Sequence, residues 1–388
     1  MQVKQIAELV NTAMRETTGL EALVNEDLSN LVDAGNTVFD SGAVDNYARS
    51  IVNVIGRTIF VARPYEGRLL GLRRDAWTYG SIARKIRVVP IEAEETETWE
   101  LRAGASYDPN IFRPATLHEK FFNKRTTFTC PISLTEIQIR ESFQSAEQMN
   151  AFIAMIENMI TNVMTKATEN LATRTLNNMI AETIHADYAA AQQSEKSGTK
   201  AVNLLYLYNA DRAEADKLTA AKAIKNPDFI RFASYTMRTY GERMASWSKL
   251  FNIGGTDKFT PASRLKAVML ADFEAAASVY LYAGANQYTT DGIRLPKAET
   301  VAYWQGSGTD FAFDSIAKIN VKTTEGNEVT ATGILGVMFD EEACMICNDD
   351  KRTTTGYNPV GEFFNYWHKQ DCQYLNDFDE NFVVFFVA

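Results

Sequence analysis

The chain has 388 residues, of which 46% are hydrophobic and 23% are charged; this is ordinary for a folded protein with room for two or three cores. Its formal net charge is -10, which argues against a protein whose main task is to neutralise nucleic-acid phosphates. Three histidines and four cysteines give little material for acid–base chemistry and too little for a disulfide framework, so we expect a reducing compartment. A signal-peptide pattern and a membrane-length apolar run are both missing from the sequence, and we expect no membrane contact.

Residues 1–62 read as short helices joined by polar turns. Ile6, Leu9, Val10 and Ala13 recur at helical spacing, and a second such stripe runs over 44–55. Helices of this length are marginal by themselves. The segment is therefore either an arm that lies on another surface or an ordinary N-terminal subdomain, and both interpretations stay open.

Residues 63–130 carry charges in blocks between short strand-like runs. The basic block is followed by an acidic one. A ribbon with this much charge cannot bury itself, and opposite blocks on one protrusion suit pairing with a neighbouring copy. The alternative is a solvated hairpin whose ion pairs contribute little. The candidate inter-subunit contacts are Arg84, Lys85, Arg87, Glu94, Glu95 and Glu97.

A single long helix is predicted from Ser145 to about Tyr188. Ser145 and Gln148 form a capping-box pattern, and no Gly or Pro occurs between Pro131 and Gly198. About 40 residues would make a rod of roughly 60 Å, on which the flanking elements would pack. The apolar stripe consists of Met149, Ile153, Ile156, Ile160, Val163, Ala167, Leu171, Leu176, Ile180 and Ile184.

The second half of the chain is predicted to mix strands and helices after a polar linker at 192–200. The predicted strands are 201–208, 266–270, 333–340 and 382–387, the last almost wholly apolar and therefore buried. The predicted helices are 227–251 and 272–280, with a helical turn at 341–347. A turn at Glu325, Gly326 and Asn327 predicts a hairpin between 313–323 and 328–335.

One group of residues has the spacing of a metal site: Cys344-x-x-Cys347 followed by His368-x-x-x-Cys372. Four such ligands could hold zinc tetrahedrally. Free cysteine is also a common small buried hydrophobe, and His368 stands among core-like aromatic residues. We therefore expect no metal and no other cofactor. No catalytic constellation is found, so we expect a protein that is not an enzyme.

The order of these parts resembles the major capsid protein of tailed bacteriophages, which has the Hong Kong 97 fold. Several short sequence motifs also resemble those in capsid proteins of phages that infect Gram-positive hosts. They are Tyr79-Gly80-Ser81-Ile82 with Arg84-Lys85-Ile86, Phe259-Thr260-Pro261, Val268-Met269-Leu270-Ala271-Asp272-Phe273, Tyr303-Trp304-Gln305-Gly306, and Gly336-Val337-Met338-Phe339-Asp340 before Glu341-Glu342-Ala343. The resemblance covers nearly the whole chain.

The resemblance implies an α+β, Hong Kong 97-like fold in five parts. They are an N-terminal arm (1–62), an extended E-loop ribbon (63–130), a peripheral domain (131–198) with a spine helix at 145–188, an axial α/β domain (199–332), and a return to the peripheral domain with a C-terminal strand (333–388). No lysine–asparagine crosslinking pair can be matched. The arm is short, which implies a separate scaffolding protein.

The resemblance further implies a non-enzymatic shell subunit that assembles as pentamers and hexamers into an icosahedral head. Its partners would be copies of itself, a scaffolding protein, a portal protein and packaged double-stranded DNA bound without sequence specificity. Its location would be the virion, assembled in the bacterial host cytoplasm. Two alternatives remain: an encapsulin-like compartment shell protein, and a zinc-dependent soluble enzyme or binding module built on 201–388.

Overall fold

The computed structural model describes residues 3–18, 24–25, 29–31, 34, 69–74, 83–89, 93, 100, 102–104, 110, 112, 114–135, 137, 146–188, 193, 195–282, 298–302, 304 and 319–388. Among them the helices are α1 (Val3–Thr18), α2 (Ala146–Asp187), α3 (Leu204–Asn209), α4 (Ala220–Ala223), α5 (Pro227–Met244) and α6 (Ala271–Tyr282). The strands are β1 (Arg73–Arg74), β2 (Ala83–Val88), β3 (Leu117–Phe122), β4 (Arg125–Thr135), β5 (Ala201–Asn203), β6 (Leu265–Leu270), β7 (Glu299–Val301), β8 (Ile319–Lys322), β9 (Glu328–Ala331), β10 (Ile334–Asp340), β11 (Cys344–Asn358), β12 (Phe363–Asn376) and β13 (Phe382–Phe386). In the part of the chain so described, no helix is long and apolar enough to cross a membrane.

The predicted long helix is confirmed as α2, which has 42 residues. At 1.5 Å per residue it is roughly 60 Å long. Its buried face follows Ile156, Ile160 and Met164 in steps of four, so the prediction that Val163 belongs to this face is wrong; Val163 is 44% exposed. The predicted cap, Ser145, lies outside the described residues.

Three threonines lie on the buried side of α2, where an unpaired hydroxyl would be costly. Thr168, Thr175 and Thr183 each donate a hydrogen bond to the carbonyl four residues earlier, at 3.0, 2.8 and 2.7 Å. The helix backbone thus satisfies these hydroxyls, and the polar residues do not interrupt the packed face.

A four-stranded sheet packs against α2, with the order β1-β11-β12-β4. β11 and β12 form a long antiparallel hairpin, and β4 pairs antiparallel with β12 at the edge. Pro131 lies in β4 opposite Trp367; an edge strand tolerates it because one side of the strand needs no ladder hydrogen bond.

A five-stranded sheet, in the order β5-β13-β10-β6-β7, forms the largest core together with the second half of α2, α5 and α6. All five residues of β13 and all seven of β10 are buried, which confirms the buried C-terminal strand. β10 and β13 come from the segment predicted to return to the peripheral domain, yet they are central in a sheet with β5 and β6. The sheets therefore join strands from both sides of the predicted boundary at 332/333.

Helix α2 contacts strands of both sheets, β11 and β12 in the first and β5 and β13 in the second. The β8–β9 hairpin also packs on it, and this hairpin confirms the predicted turn, in which Gly326 has a φ of +88°. One helix thus connects the two layers of strands into a single framework.

Three local predictions are wrong. The segment 201–208 is not one strand, because after β5 the Asn203 side chain accepts a hydrogen bond from the Tyr206 amide at 3.1 Å and starts α3. Helix α5 ends at Met244, whose carbonyl accepts from the Thr260 amide at 2.7 Å and closes a loop over 245–259. The predicted helical turn at 341–347 gives way at Cys344 to β11, since pairing with β12 begins there.

For the N-terminal segment, α1 confirms the first predicted helix; Val10, Ala13 and Met14 are fully buried. The Asn11 side chain bonds both the amide and the carbonyl of Val24, at 2.8 and 2.7 Å. The second predicted stripe, over 44–55, lies outside the described residues.

Candidate functional site

Strands β2 and β3 form a two-stranded antiparallel ribbon that lies in the chain between β1 and β4 of the four-stranded sheet. Lys85 lies directly opposite Lys120 in its register. Because side chains alternate along a strand, Lys85, Arg87 and Lys120 share one face, which we call the basic face. Arg84, Ile86 and Val88 share the other face with Leu117, Glu119 and Phe121.

The basic face lies against the body of its own subunit. Its main partners are the carboxylates of Asp377, Asp379 and Glu380 between β12 and β13, which we call the acidic turn. Lys85 also pairs with Glu342, at 3.1 Å. Lys85 Nζ lies 2.8 Å from Asp377 Oδ2 and 2.6 Å from Glu380 Oε1. Lys120 Nζ lies 3.1 Å from Asp377 Oδ1 and 2.6 Å from Asp379 Oδ2.

These contacts are partly shielded from water, because the Asp377 and Glu380 side chains are only 2% and 5% exposed. Burial by itself would favour the neutral form of Lys85, but the attraction of Asp377 and Glu380 prevails and raises its pKa. Burial likewise opposes the charge on Asp377, and the two lysines lower its pKa nevertheless. Both shifts favour the charged forms of Lys85 and Asp377.

The acidic turn also connects to neighbouring parts of the subunit. Lys258 Nζ lies 2.7 Å from the same Glu380 oxygen that Lys85 contacts. The Gly254 amide donates to the Phe378 carbonyl at 2.8 Å, and the Thr256 hydroxyl donates to the Asp379 carbonyl at 3.0 Å. The loop 245–259 therefore also holds the turn in place.

The other face of the ribbon is exposed and mainly apolar, and we call it the apolar face. Ile86, Val88, Leu117 and Phe121 are 52–61% exposed. Arg84 and Glu119 form an ion pair among them, with the Arg84 guanidinium 6.0 Å from the centre of the Phe121 ring. Four exposed apolar side chains on one two-stranded ribbon indicate a contact surface.

The sequence-predicted contact residues thus divide between the two faces. Arg84 lies on the exposed apolar face, whereas Lys85 and Arg87 point toward carboxylates of their own chain; Arg87 NH1 lies 3.5 Å from Asp379 Oδ2. Glu94, Glu95 and Glu97 lie outside the described residues. Sequence reasoning missed Lys120 and the acidic turn, because only the strand register places Lys120 opposite Lys85.

The structure does not bring the candidate zinc ligands together. His368 and Cys372 are four residues apart on a strand, which separates them by about 13 Å, whereas zinc binds its ligands at about 2.0–2.3 Å. Cys344 and Cys347, three apart on β11, point to opposite faces of the sheet. Of the residues that the structure describes, no three His, Cys, Asp or Glu side chains are grouped to hold a metal ion.

Solved structures with similar folds come from phage capsids. The capsid structure of Staphylococcus phage Andhra matches with a TM-score of 0.50 and 10% identity, over 84% of this chain and 86% of that one. The asymmetric unit of the bacteriophage PhiM1 mature capsid matches with a TM-score of 0.44 and 11% identity, over 84% and 89%. No match was found among the curated proteins. The likeness to the phage Andhra capsid structure shows that this chain has a similar fold.

The sequence comparison is more specific. The chain belongs to the Phi29-like phage major capsid protein family, whose model matches residues 6–386. It is therefore a major capsid protein that forms the head shell of a tailed phage from copies of itself, a structural component of the virion. The family favours this role over the compartment shell protein and over the soluble enzyme or binding module.

Proposed function

We propose that this subunit assembles through pentamers and hexamers into an icosahedral shell around the double-stranded DNA of a tailed phage. The family match over residues 6–386 carries the proposal. The net charge of -10 is consistent with a shell that encloses DNA without binding it tightly, because binding through the phosphates would need a basic surface. The subunit acts by geometry and not by catalysis, and it takes up no cofactor.

In this proposal the fold has the parts of the Hong Kong 97 architecture. Helix α2 is the spine of the peripheral domain, and the four-stranded sheet that packs on it belongs to the same domain. The five-stranded sheet belongs to the axial domain at the centre of each pentamer or hexamer. Residues 1–62 form the arm, and the β2–β3 ribbon is the base of the E-loop, where the loop joins the rest of the subunit.

The ribbon contributes to assembly through its apolar face. That face is turned away from its own subunit and has the composition of an interface centre, with aliphatic and aromatic side chains around one ion pair. A neighbouring copy covers it in the shell. Each contact can be weak because every subunit is held at several interfaces at once.

A scaffolding protein encoded separately and a portal protein complete the proposed set of partners, with assembly in the bacterial cytoplasm. Electron microscopy of particles from infected cells tests the proposal. We expect closed shells whose capsomers have five and six subunits, and nuclease-protected double-stranded DNA in the mature particles. A small stable oligomer in size-exclusion chromatography, or shells loaded with protein cargo in place of DNA, would contradict it.

A further inference from the structure

The register of the ribbon raises an electrostatic problem. Lys85 and Lys120 lie directly opposite each other, and like charges in this position destabilise strand pairing. Both side chains are on the basic face, where Lys85 is 25% and Lys120 39% exposed. Water therefore screens their repulsion only in part, and the ribbon needs a counter-charge in order to keep this register.

One buried carboxylate supplies that counter-charge. The two oxygens of Asp377 bind different lysines, Oδ2 to Lys85 at 2.8 Å and Oδ1 to Lys120 at 3.1 Å. Asp379 adds a second contact to Lys120, and Glu380 adds a second contact to Lys85. Lys120 thus has two carboxylate partners, and Lys85 has three, since Glu342 Oε2 also lies 3.1 Å from Lys85 Nζ. Asp377 is the partner common to both lysines.

The acidic turn is itself held in position. The Asp377 amide donates to the Ala343 carbonyl at 2.8 Å, and the Asp379 amide donates to the Asp377 side chain at 3.2 Å. Together with its bonds to the loop 245–259, this makes the turn a fixed base to which the ribbon is attached by ion pairs. A charge-assisted contact with a buried partner is stronger than an exposed ion pair.

We propose that Asp377, Asp379 and Glu380 are positioning residues for assembly: they hold the basic face of the ribbon on its own subunit and so direct the apolar face toward a second copy. The inference rests on the proposed function of the ribbon as an inter-subunit contact. It adds that the direction of the ribbon is set inside the subunit, before any neighbour is present.

The test uses the full chain with Asp377→Asn, which keeps the size of the side chain and removes the charge shared by the lysines. In the unassembled subunit, we expect hydrogen exchange of the β2 and β3 amides to become about tenfold faster, with exchange in α2 and the five-stranded sheet unchanged. Shell yield, counted by electron microscopy, should fall in parallel. Asp228→Asn is the matched control, since it removes the same charge from an exposed pair with Arg231 and should change neither reading.

A second substitution separates this role from simple support of the turn. Adding Lys120→Met to Asp377→Asn removes one of the two facing cations, and we expect slower ribbon exchange and a higher shell yield than in Asp377→Asn alone. If Asp377 only stabilised its own turn, removing Lys120 would neither slow the hydrogen exchange of the ribbon nor raise the shell yield. That result would overturn the proposal. Should Asp377→Asn unfold the whole subunit, Asp379→Asn, which changes the most exposed carboxylate of the turn (17%), gives the same two readings.

The remaining outcomes are also decisive. Ribbon exchange that is unchanged in Asp377→Asn and Asp379→Asn shows that the acidic turn does not hold the ribbon. Faster ribbon exchange with an undiminished shell yield shows that it holds the ribbon but does not position it for assembly. A wild-type chain that forms no shells contradicts the proposed function instead, while the exchange measurement still tests the ion pairs.

Discussion

His368 lies in the middle of β12, where it is 1% exposed. Its Nδ1 lies 3.0 Å from the Thr353 hydroxyl, and its Nε2 is buried without a hydrogen-bond partner among the described residues. Burial disfavours the charged imidazolium and lowers the pKa of His368 to about 4. The folded subunit therefore holds this ring neutral where the unfolded chain takes up a proton.

This difference predicts a pH-dependent stability. Since the folded pKa is below the unfolded value of about 6.5, the contribution is complete above pH 6.5 and is lost as the pH falls toward about 4. The full loss is about 3 kcal/mol of unfolding free energy. Denaturant titrations of the unassembled subunit between pH 7 and 4 measure it.

His368→Gln is the variant that isolates this effect, because glutamine stays neutral over the whole range. We expect its unfolding free energy to depend less on pH than that of the wild type, by about the same 3 kcal/mol. His118→Gln, on the exposed ribbon strand β3, is the control and should follow the wild type. Parallel curves for wild type and His368→Gln would refute the assignment.

At the scale of the element, α2 is the part on which both sheets pack. Its burial changes along its length: in the first half Ile156 and Ile160 are buried while Met159 and Val163 are exposed, and in the second half Leu176, Met179, Ile180 and Ala181 are all buried. The second half is therefore enclosed on more sides. The irregular stripe seen in the sequence reflects this change of surroundings along one continuous helix.

A matched pair of truncations tests the position of the buried face. Ile160→Ala should lower the unfolding free energy by about 2–5 kcal/mol, because the Ile160 side chain is fully buried and its truncation leaves a cavity in the core. Val163→Ala, one turn further on, should change it by about 0.5 kcal/mol or less, since an exposed site forms no cavity. Thermal and denaturant unfolding of both variants provide the comparison; equal losses would mean that Val163 faces the sheet after all.

At the scale of the whole molecule, assembly depends on exposed apolar surfaces that neighbouring subunits can cover. The apolar face of the ribbon is one of them. Another lies on the loop 245–259, where Trp247 and Phe259 stack with ring centres 5.1 Å apart and are 57% and 47% exposed. A subunit that is built to be covered by its neighbours can leave such side chains exposed before assembly.

Substitution of the apolar face tests this at the level of the shell. Ile86→Ser with Phe121→Ser should leave the unfolding free energy of the subunit within about 0.5 kcal/mol of the wild-type value, because both side chains are exposed. Shell assembly, followed by sedimentation and electron microscopy, should be lost. Val360→Ser, at a site 93% exposed, is the control for removing an exposed apolar side chain. Normal shells from the double variant would exclude the apolar face as an interface.

Much of the fold could be predicted from the sequence because the signals are local. The helical period over 145–188, the apolar run at 382–387 and the turn at Glu325–Asn327 each fix the type of an element, and all three are confirmed. Helix starts such as Asn203, and the strand that begins at Cys344, were missed. In these segments, whether the chain forms a helix or a strand depends on a capping hydrogen bond or on a strand partner far away in the chain.

What the sequence by itself determined is the long helix, the buried C-terminal strand, the β8–β9 turn and, through its resemblance, the class of protein. Only the tertiary structure decided which way the ribbon faces: the pleat and the register put Lys85 and Arg87 on their own subunit, and Arg84 on the exposed side. It also decided that His368 and Cys372 are separated along a strand, where a helix would have brought them together. In both cases the reason is physical: side-chain type is local, whereas side-chain direction and partners follow from strand pairing between distant segments.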